Sequence, residues 1–404
     1  MTYTPRGLAA TVRKALRTFP VVLVTGARQA GKTTLLREEL GKRRRYVSLD
    51  RPDIRERALA DPVAFLEDHP TPIILDEVQH TPELLTWIKD AVDRNRRPGQ
   101  WLLTGSQSFP LTRGISETLA GRVAVLRLDP LSISEVAGSP GMDPFVRVFG
   151  KRRSPSKREV PALSDWLLRG SYPEIRLNSR VDRELWFSSY VQTYLERDIR
   201  DILQVTDLAT FHSFLRLLAS RTGQILNLAE LGREAGISAP TARRWISVLE
   251  TSHVIHILQP YHRNFGKRLR KGSKLIWLDS GLPTFLLGLR DREAVLRGPT
   301  AGALVENAVV SEWLKALRQR GDTTDVWFWR SAAGLEVELV LERDGVLHAV
   351  EVKATRTPTP RHADSLAKWL ELAGEGARGV LACAIDEPRS LRPGIRAVPW
   401  HLAW

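Results

Sequence analysis

The sequence predicts an α/β protein: a parallel sheet covered by helices, then a helical lid, a winged helix and a C-terminal α/β unit. Three observations predict it. Between residues 20 and 130, short apolar runs ("VVLVT", "RRYVSLD", "PIILDE", "QWLLTGS" and "VAVLRLDP") alternate with helical stretches, the rhythm of parallel strands joined by crossover helices. The first run leads directly into "GARQAGKTTLL", a glycine-rich turn that opens a helix. From about residue 300 a second alternation begins, with a long helical stretch ahead of "DVWFWR", "EVELVLE" and "VLHAVEVK".

A chain of 404 residues with 43% hydrophobic content has material for roughly two to four cores. Shifts in pattern divide it at 1–135, 136–220, 221–280 and 281–404. The formal net charge of +14 favours a polyanionic partner, with DNA the expected one. Basic clusters fall at 42–45, 150–158 and 262–274, where the alternative is plain solvation of three loops. No apolar run approaches the roughly 20 residues that span a bilayer, and "MTYTPRGLAATVRKAL" lacks the apolar centre of a secretion signal. A cytoplasmic protein without membrane contact is therefore expected. Cys383 is the only cysteine, which excludes an intrachain disulfide and a cysteine-based zinc site.

Gly26, Gly31, Lys32 and Thr33 satisfy G-x-x-x-x-G-K-[ST] between a strand and a helix. Glycine lets the backbone curl so that its N–H groups face phosphates, and the helix N-terminus adds a positive field. The expected nucleotide-binding loop is Gly26, Ala27, Arg28, Gln29, Ala30, Gly31, Lys32, Thr33 and Thr34, with ATP and Mg²⁺ as its ligands. Lys32 is placed to reach the β and γ phosphates and the Thr33 hydroxyl to bind Mg²⁺. "PIILDEVQ" ends a hydrophobic strand in Asp76, which completes the Mg²⁺ site, and Glu77, which polarises the attacking water. That pair points to hydrolysis. The next strand ends in "TGSQS", where Ser106, or alternatively Thr104, is positioned to sense the γ-phosphate.

Beyond residue 136 the composition turns to Gly, Pro, Ser and basic residues. Residues 181–203 then place Phe187, Val191, Leu195 and Ile199 at i+4 spacing, an amphipathic helical stripe. "NLAELGREAGISAPTARRWISVLE" reads as helix, turn and a second helix capped by Ser238. "HVIHILQPY" and "KLIWLDS" follow as two strands joined by a basic loop, making a winged helix. The expected DNA contacts are Arg243 and Arg244 on the second helix, with Arg263, Lys267, Arg268, Arg270, Lys271 and Lys274 on the wing and Phe265 available to stack. Packing within the protein is the alternative role for this unit.

In "EVELVLERDGVLHAVEVK" the strand period puts Glu336 and Glu338 on one face, with Glu351 and Lys353 together on the neighbouring strand. The Asp344-Gly345 hairpin lets these faces converge, and Glu306 lies on the preceding helix.

The order of the strands, the Asp-Glu pair and "LAGRVAVLRLDPLSISE" resemble the AAA+ ATPases. "LTGSQ", "LAGR", "GSYPE", "YLERDI", "TGQILNLAEL", "LDSGL", "LVEN" and "EVK" resemble, more narrowly, a bacterial and archaeal AAA family with a C-terminal domain of unknown function. The resemblance covers nearly the whole chain. It implies an AAA+ P-loop NTPase sheet with a helical lid, a homo-oligomer such as a hexameric ring, and an arginine finger at Arg122, with Arg113 as alternative. Arg176 and Arg197 are the candidate lid sensors. By analogy with the bacterial Holliday-junction branch-migration motor it implies a helicase-like DNA motor; the alternatives are a nucleotide-switched DNA- or protein-binding regulator and an ATP-dependent nuclease.

The C-terminal unit resembles the PD-(D/E)xK nuclease core through Glu306, Glu338, Glu351 and Lys353, in which two acids hold Mg²⁺ and the lysine assists water. This chain departs from that pattern at Glu338, where aspartate belongs. One methylene moves a carboxylate by about 1.5 Å, more than the roughly 0.5 Å a catalytic constellation tolerates. An acidic, solvated face without cleavage activity is therefore expected.

Overall fold

A computed structural model describes residues 3–106, 118–150, 160–195, 207–261 and 272–402. Five strands, β1 (Val21–Thr25), β2 (Arg45–Ser48), β3 (Ile73–Asp76), β4 (Trp101–Thr104) and β5 (Val123–Arg127), form an all-parallel sheet in the order β2-β3-β4-β1-β5. Strands buried on both faces read as continuous apolar runs, and this sheet shows why. Along β1, Val21 and Leu23 enter one core while Val22 and Val24 enter the core on the opposite face; Leu103 and Leu102 of β4 divide the same way. The five predicted strands are all present.

Three of the four predicted stripe residues pack as expected. Phe187, Val191 and Leu195 are buried with Phe211, Phe214 and Trp245, whose rings meet edge to face at 5.3 and 5.0 Å. Ile199 lies outside the described residues. Ser238 caps the helix Ala239–Thr251 by accepting from the Thr241 N–H, and the helix Leu228–Glu234 precedes it.

The wing strands β6 (Ile255–Pro260) and β7 (Lys274–Trp277) pair antiparallel, and β6 also pairs in parallel with β8 (Val326–Arg330). The wing therefore continues into the C-terminal sheet. With β9 (Glu336–Arg343), β10 (Val346–Lys353), β11 (Arg378–Cys383), β12 (Arg389–Arg392) and β13 (Ile395–Pro399), the order is β12-β13-β11-β10-β9-β8-β6-β7. Asp344 and Gly345 both adopt positive φ, as the two-residue turn between β9 and β10 demands.

The long helix Ala301–Gln319 is the hub of the C-terminal core. Trp313 meets Phe145 edge to face at 5.2 Å, and Phe145, Val148, Trp166 and Leu167 share its core with Leu339 and Val350. Residues expected in a helical connection thus divide: the stretch through 170 packs on the C-terminal core and the stretch from 172 on the winged helix. Among the described residues no helix is long and apolar enough to cross a membrane.

Within the long helix, Glu312 and Lys315 pair at 2.8 Å with both side chains fully buried. Glu312 accepts from the Ile133 N–H, and Lys315 donates to Leu131 O and Ser171 Oγ. Breaking such a pair from one side strands a buried charge at a cost of about 3–5 kcal/mol, whereas removing both charges is far cheaper. Lys315→Met is expected to lower the denaturant midpoint strongly and Glu312→Gln/Lys315→Met to recover most of it; equal midpoints for the two variants would refute the pair's role.

Candidate functional site

The loop after β1 is shaped by left-handed backbone positions, two of them glycines. Gly26 has φ +147°, and a Cβ there would lie 2.1 Å from Leu128 O. Gly31 has φ +92° at the N-cap of the helix Lys32–Leu35, and Gln29 is also left-handed at φ 64°. The Lys32 ammonium is buried and donates to Gly26 O and Ala27 O, 3.0 Å each. Thr33 Oγ1 donates to Asp76 Oδ2 at 2.9 Å, which brings the P-loop hydroxyl onto the carboxylate at the end of β3.

Asp76 is 2% exposed and accepts two further hydroxyls: Tyr46 at 2.6 Å and Thr104 on its other oxygen. Burial and then the bond to Asp76 push the Tyr46 phenol up, so it stays protonated and donates. Thr104 Oγ1 also accepts the Glu77 N–H at 3.2 Å. The β4 residue in contact with both acids is thus Thr104, and Ser106, the first choice from the sequence, is buried two positions beyond the strand end. Glu77 itself sits in a left-handed conformation, φ 60° and ψ 47°, and Gln79 Nε2 donates to its carboxylate.

Gln29, Gly31, Lys32, Thr33 and Glu77 line a cleft of about 670 Å³ with Thr4, Arg6, Arg28, Pro173, Leu177 and Tyr194. Tyr194 accepts from Gln29 Nε2 at 2.8 Å and lies beneath the Arg28 guanidinium at 5.6 Å, so a residue of the helical segment Val191–Leu195 meets the P-loop. The glycine loop, the Lys32 ammonium, the Thr33 hydroxyl and the Asp76 carboxylate are thus gathered at the ends of β1 and β3.

Other predicted arginines hold different posts. Arg122 clamps Asp93 of its own chain with Nε at 2.6 Å and Nη2 at 3.0 Å. Arg176 is not placed as a sensor: it is bound to Asp165 at 2.5 Å and to Gly170 O at 2.7 Å, and stacks 4.8 Å from Trp166. Arg113, Arg197, Arg263, Phe265, Lys267, Arg268, Arg270 and Lys271 lie outside the described residues. Arg243 and Arg244 are exposed on the second helix of the winged unit. Lys274 is withdrawn from any DNA face; it is 3% exposed, ion-paired with Glu336 and 5.2 Å over the Phe328 ring.

Glu338, Glu351 and Lys353 do converge, but the expected solvated face is buried, Glu338 at 4% and Glu351 at 0% exposure. The Lys353 ammonium is 2.5 Å from Glu351 and 4.0 Å from Glu338, whose other oxygen accepts the Val352 N–H at 2.8 Å. An ammonium thus occupies the position between carboxylates that a cation would need, and among the described residues no group of three His, Cys, Asp or Glu side chains has metal-binding geometry. The residues do not fit a catalytic Mg²⁺. Burial, then the charge of Glu338, pushes Glu306 up to about 8 and Glu351 up to about 9.

The sequence pattern of the family described as AAA domain matches residues 18–137. Two domains of unknown function follow, DUF8612 over 160–293 and DUF4143 over 301–403. The uncharacterized proteins Rv2008c of Mycobacterium tuberculosis and Mb2031c of Mycobacterium bovis are each 34% identical over 355 residues, covering 88% of this chain and 75% of their own. Among solved structures, the Walker-type ATPase paby2304 of Pyrococcus abyssi is 16% identical, with 69% of this chain and 94% of that one covered at a TM-score of 0.42.

The buried carboxyls set a pH dependence. Because Glu306 and Glu351 hold protons in the folded chain up to about 8 and about 9, against 4.5 for an ordinary glutamate, the native state binds more protons than the unfolded one across that window. Their contribution to stability is complete below 4.5 and is lost as pH rises through 8 to 9. Glu351→Gln is expected to flatten the fall of the thermal midpoint from about pH 5 to about pH 9. A wild-type slope in the variant would show Glu351 charged.

Proposed function

The chain belongs to the family of the mycobacterial proteins Rv2008c and Mb2031c and has an AAA-type P-loop ATPase fold, and on that premise we propose that it hydrolyses ATP with Mg²⁺ to act on DNA. One observation carries the hydrolysis: Thr33 of the P-loop donates to Asp76, beside Glu77 and within the cleft that holds Lys32. A Walker loop that only bound nucleotide would not need a second carboxylate there.

The geometry supports the following division of labour. Gly26 and Gly31 shape the loop for phosphates, and Lys32 turns from its carbonyl partners to their charge. Thr33 and Asp76 would hold Mg²⁺, which would supply charge neutralisation on the phosphoryl oxygens. Glu77, tethered by Gln79 and by the Thr104 hydroxyl, accepts the proton of the attacking water. Tyr46 and Thr104 keep Asp76 aimed by donating to it. Arg122 is clamped to Asp93, and a role as a finger for a neighbouring subunit in a ring requires its release.

DNA as the partner rests on Arg243 and Arg244, exposed one turn into the second helix of the winged unit, and on the net charge of +14. A nucleotide-switched regulator without translocation is the second reading, favoured by the in-chain clamp of Arg122. Nuclease action is opposed by the ammonium between Glu338 and Glu351.

Two measurements test these assignments. Lys32→Ala is expected to lose productive nucleotide binding, and Glu77→Gln to keep ATP bound while turnover falls by orders of magnitude; undiminished turnover in Glu77→Gln would sink the assignment. DNA is expected to raise ATP turnover severalfold, and Arg243→Ala/Arg244→Ala to abolish the stimulation. Turnover indifferent to DNA in the wild type would select the regulator.

A further inference from the structure

We propose that Arg6 is a positioning residue for phosphate binding, acting through the peptide that joins Ala30 to Gly31. Arg6 lines the nucleotide cleft yet is only 5% exposed. All three of its nitrogens are engaged: Nη1 donates to Ala30 O at 2.7 Å, Nη2 to Asp129 O at 2.7 Å, and Nε to Glu135 Oε1 at 3.0 Å. Three of the five guanidinium N–H donors are thus committed to protein acceptors, and the influence on the ligand runs through the loop.

The route is the planarity of the peptide bond. Within one peptide the C=O and the N–H point in opposite directions. By holding Ala30 O, Arg6 fixes the orientation of the Gly31 N–H, one of the loop amides that a P-loop offers to phosphate. Gly31, left-handed at φ +92°, has few steric restraints of its own on that orientation, and an external anchor is what limits it.

The anchor is held from several sides. Glu135 Oε1 also accepts the Gly7 N–H at 2.8 Å, and its other oxygen accepts the Ser132 N–H at 2.8 Å as half of a capping box. Tyr3 OH and the Arg6 N–H donate to Glu39 at 2.6 and 2.9 Å, fixing the segment before the first helix. A planar fork that spans three acceptors cannot be replaced by a point charge. Lysine at this position keeps the charge beside Glu135 and loses the simultaneous hold on Ala30 and Asp129.

The inference rests on the nucleotide-binding reading of the cleft, and the test separates the two. Calorimetric titration of the full chain with ADP and AMP is the readout, because the loop amides serve the β-phosphate that AMP lacks. In Arg6→Lys the ADP-to-AMP affinity ratio is expected to fall about tenfold, the scale of one hydrogen bond to a charged group. In Glu135→Gln, which loosens Arg6 while sparing its two carbonyl bonds, the ratio is expected to fall less and in the same direction. A merely structural role would lower the thermal midpoint and both affinities together, leaving the ratio unmoved. An unchanged ratio in both variants, with ADP binding abolished by Lys32→Ala, overturns the proposal alone. ADP binding that survives Lys32→Ala overturns the nucleotide site and this proposal with it.

Discussion

The ion pair of Glu312 with Lys315, both without solvent exposure, is the constraint on which the arrangement of the halves depends. An apolar core cannot hold two charges unless every remaining donor and acceptor finds a partner. The partners come from elsewhere in the chain: Ile133 N–H and Leu131 O from the segment after β5, and Ser171 Oγ from the turn after the helix Leu163–Arg169. Ser171 in turn donates its hydroxyl to Asp279 at 2.9 Å, and Asp279 Oδ1 accepts from the Leu282 N–H at 2.7 Å. Three distant stretches are thus linked to the long helix through this pair.

The same obligation reaches the P-loop. Asp129, two residues past β5, is 4% exposed and accepts from Arg318 of the long helix at 3.2 Å and from Arg127 at 2.9 Å. Burial alone would raise its carboxyl; the two guanidinium groups instead hold it well below the usual range. Its backbone carbonyl receives Arg6, which also holds Ala30. Between the nucleotide loop and the C-terminal helix there are therefore two polar routes, one from Arg6 through Glu135 and Ser132 to Gln319 and one from Arg6 through Asp129 to Arg318. Arg6, Glu135, Ser132, Gln319 and Asp129 are buried and Arg318 is partly exposed, so directional bonds carry most of each route.

What was legible in the sequence is what depends on local pattern. Doubly buried strands announce themselves as "VVLVT" and "IILD", Ser238 announces a helix cap, and Asp344-Gly345 announces a hairpin. The P-loop and its two acids were legible because backbone curl and charge require those residue types at fixed spacing. Contacts that depend on tertiary register were not. Thr104 rather than Ser106 meets Asp76 because β4 is set against β3 with Leu103 opposite Leu75, which the sequence of one strand does not reveal. Lys274 reads as the end of a basic run, yet its Nζ finds Glu336 on a strand far away in sequence. Arg6 carries no motif at all. The last hairpin, β12 and β13, did leave a signal in Pro393-Gly394, where Gly394 takes φ 75°.

The acidic cluster of the C-terminal sheet shows how a site is converted without changing its residue types. Strand alternation puts Glu338, Glu351 and Lys353 on one face, and β9 pairs with β10 so that those faces meet. A longer side chain at Glu338 reaches the Val352 N–H with one oxygen and leaves the other toward Lys353. With that oxygen and Glu351 both turned to the ammonium, the charge a cation would balance is balanced from within. Burial then does the rest, holding Glu351 up to about 9 so that the cluster carries less charge than its composition implies. The outcome is an interior whose charge is largely neutralised within the sheet that the wing strands join.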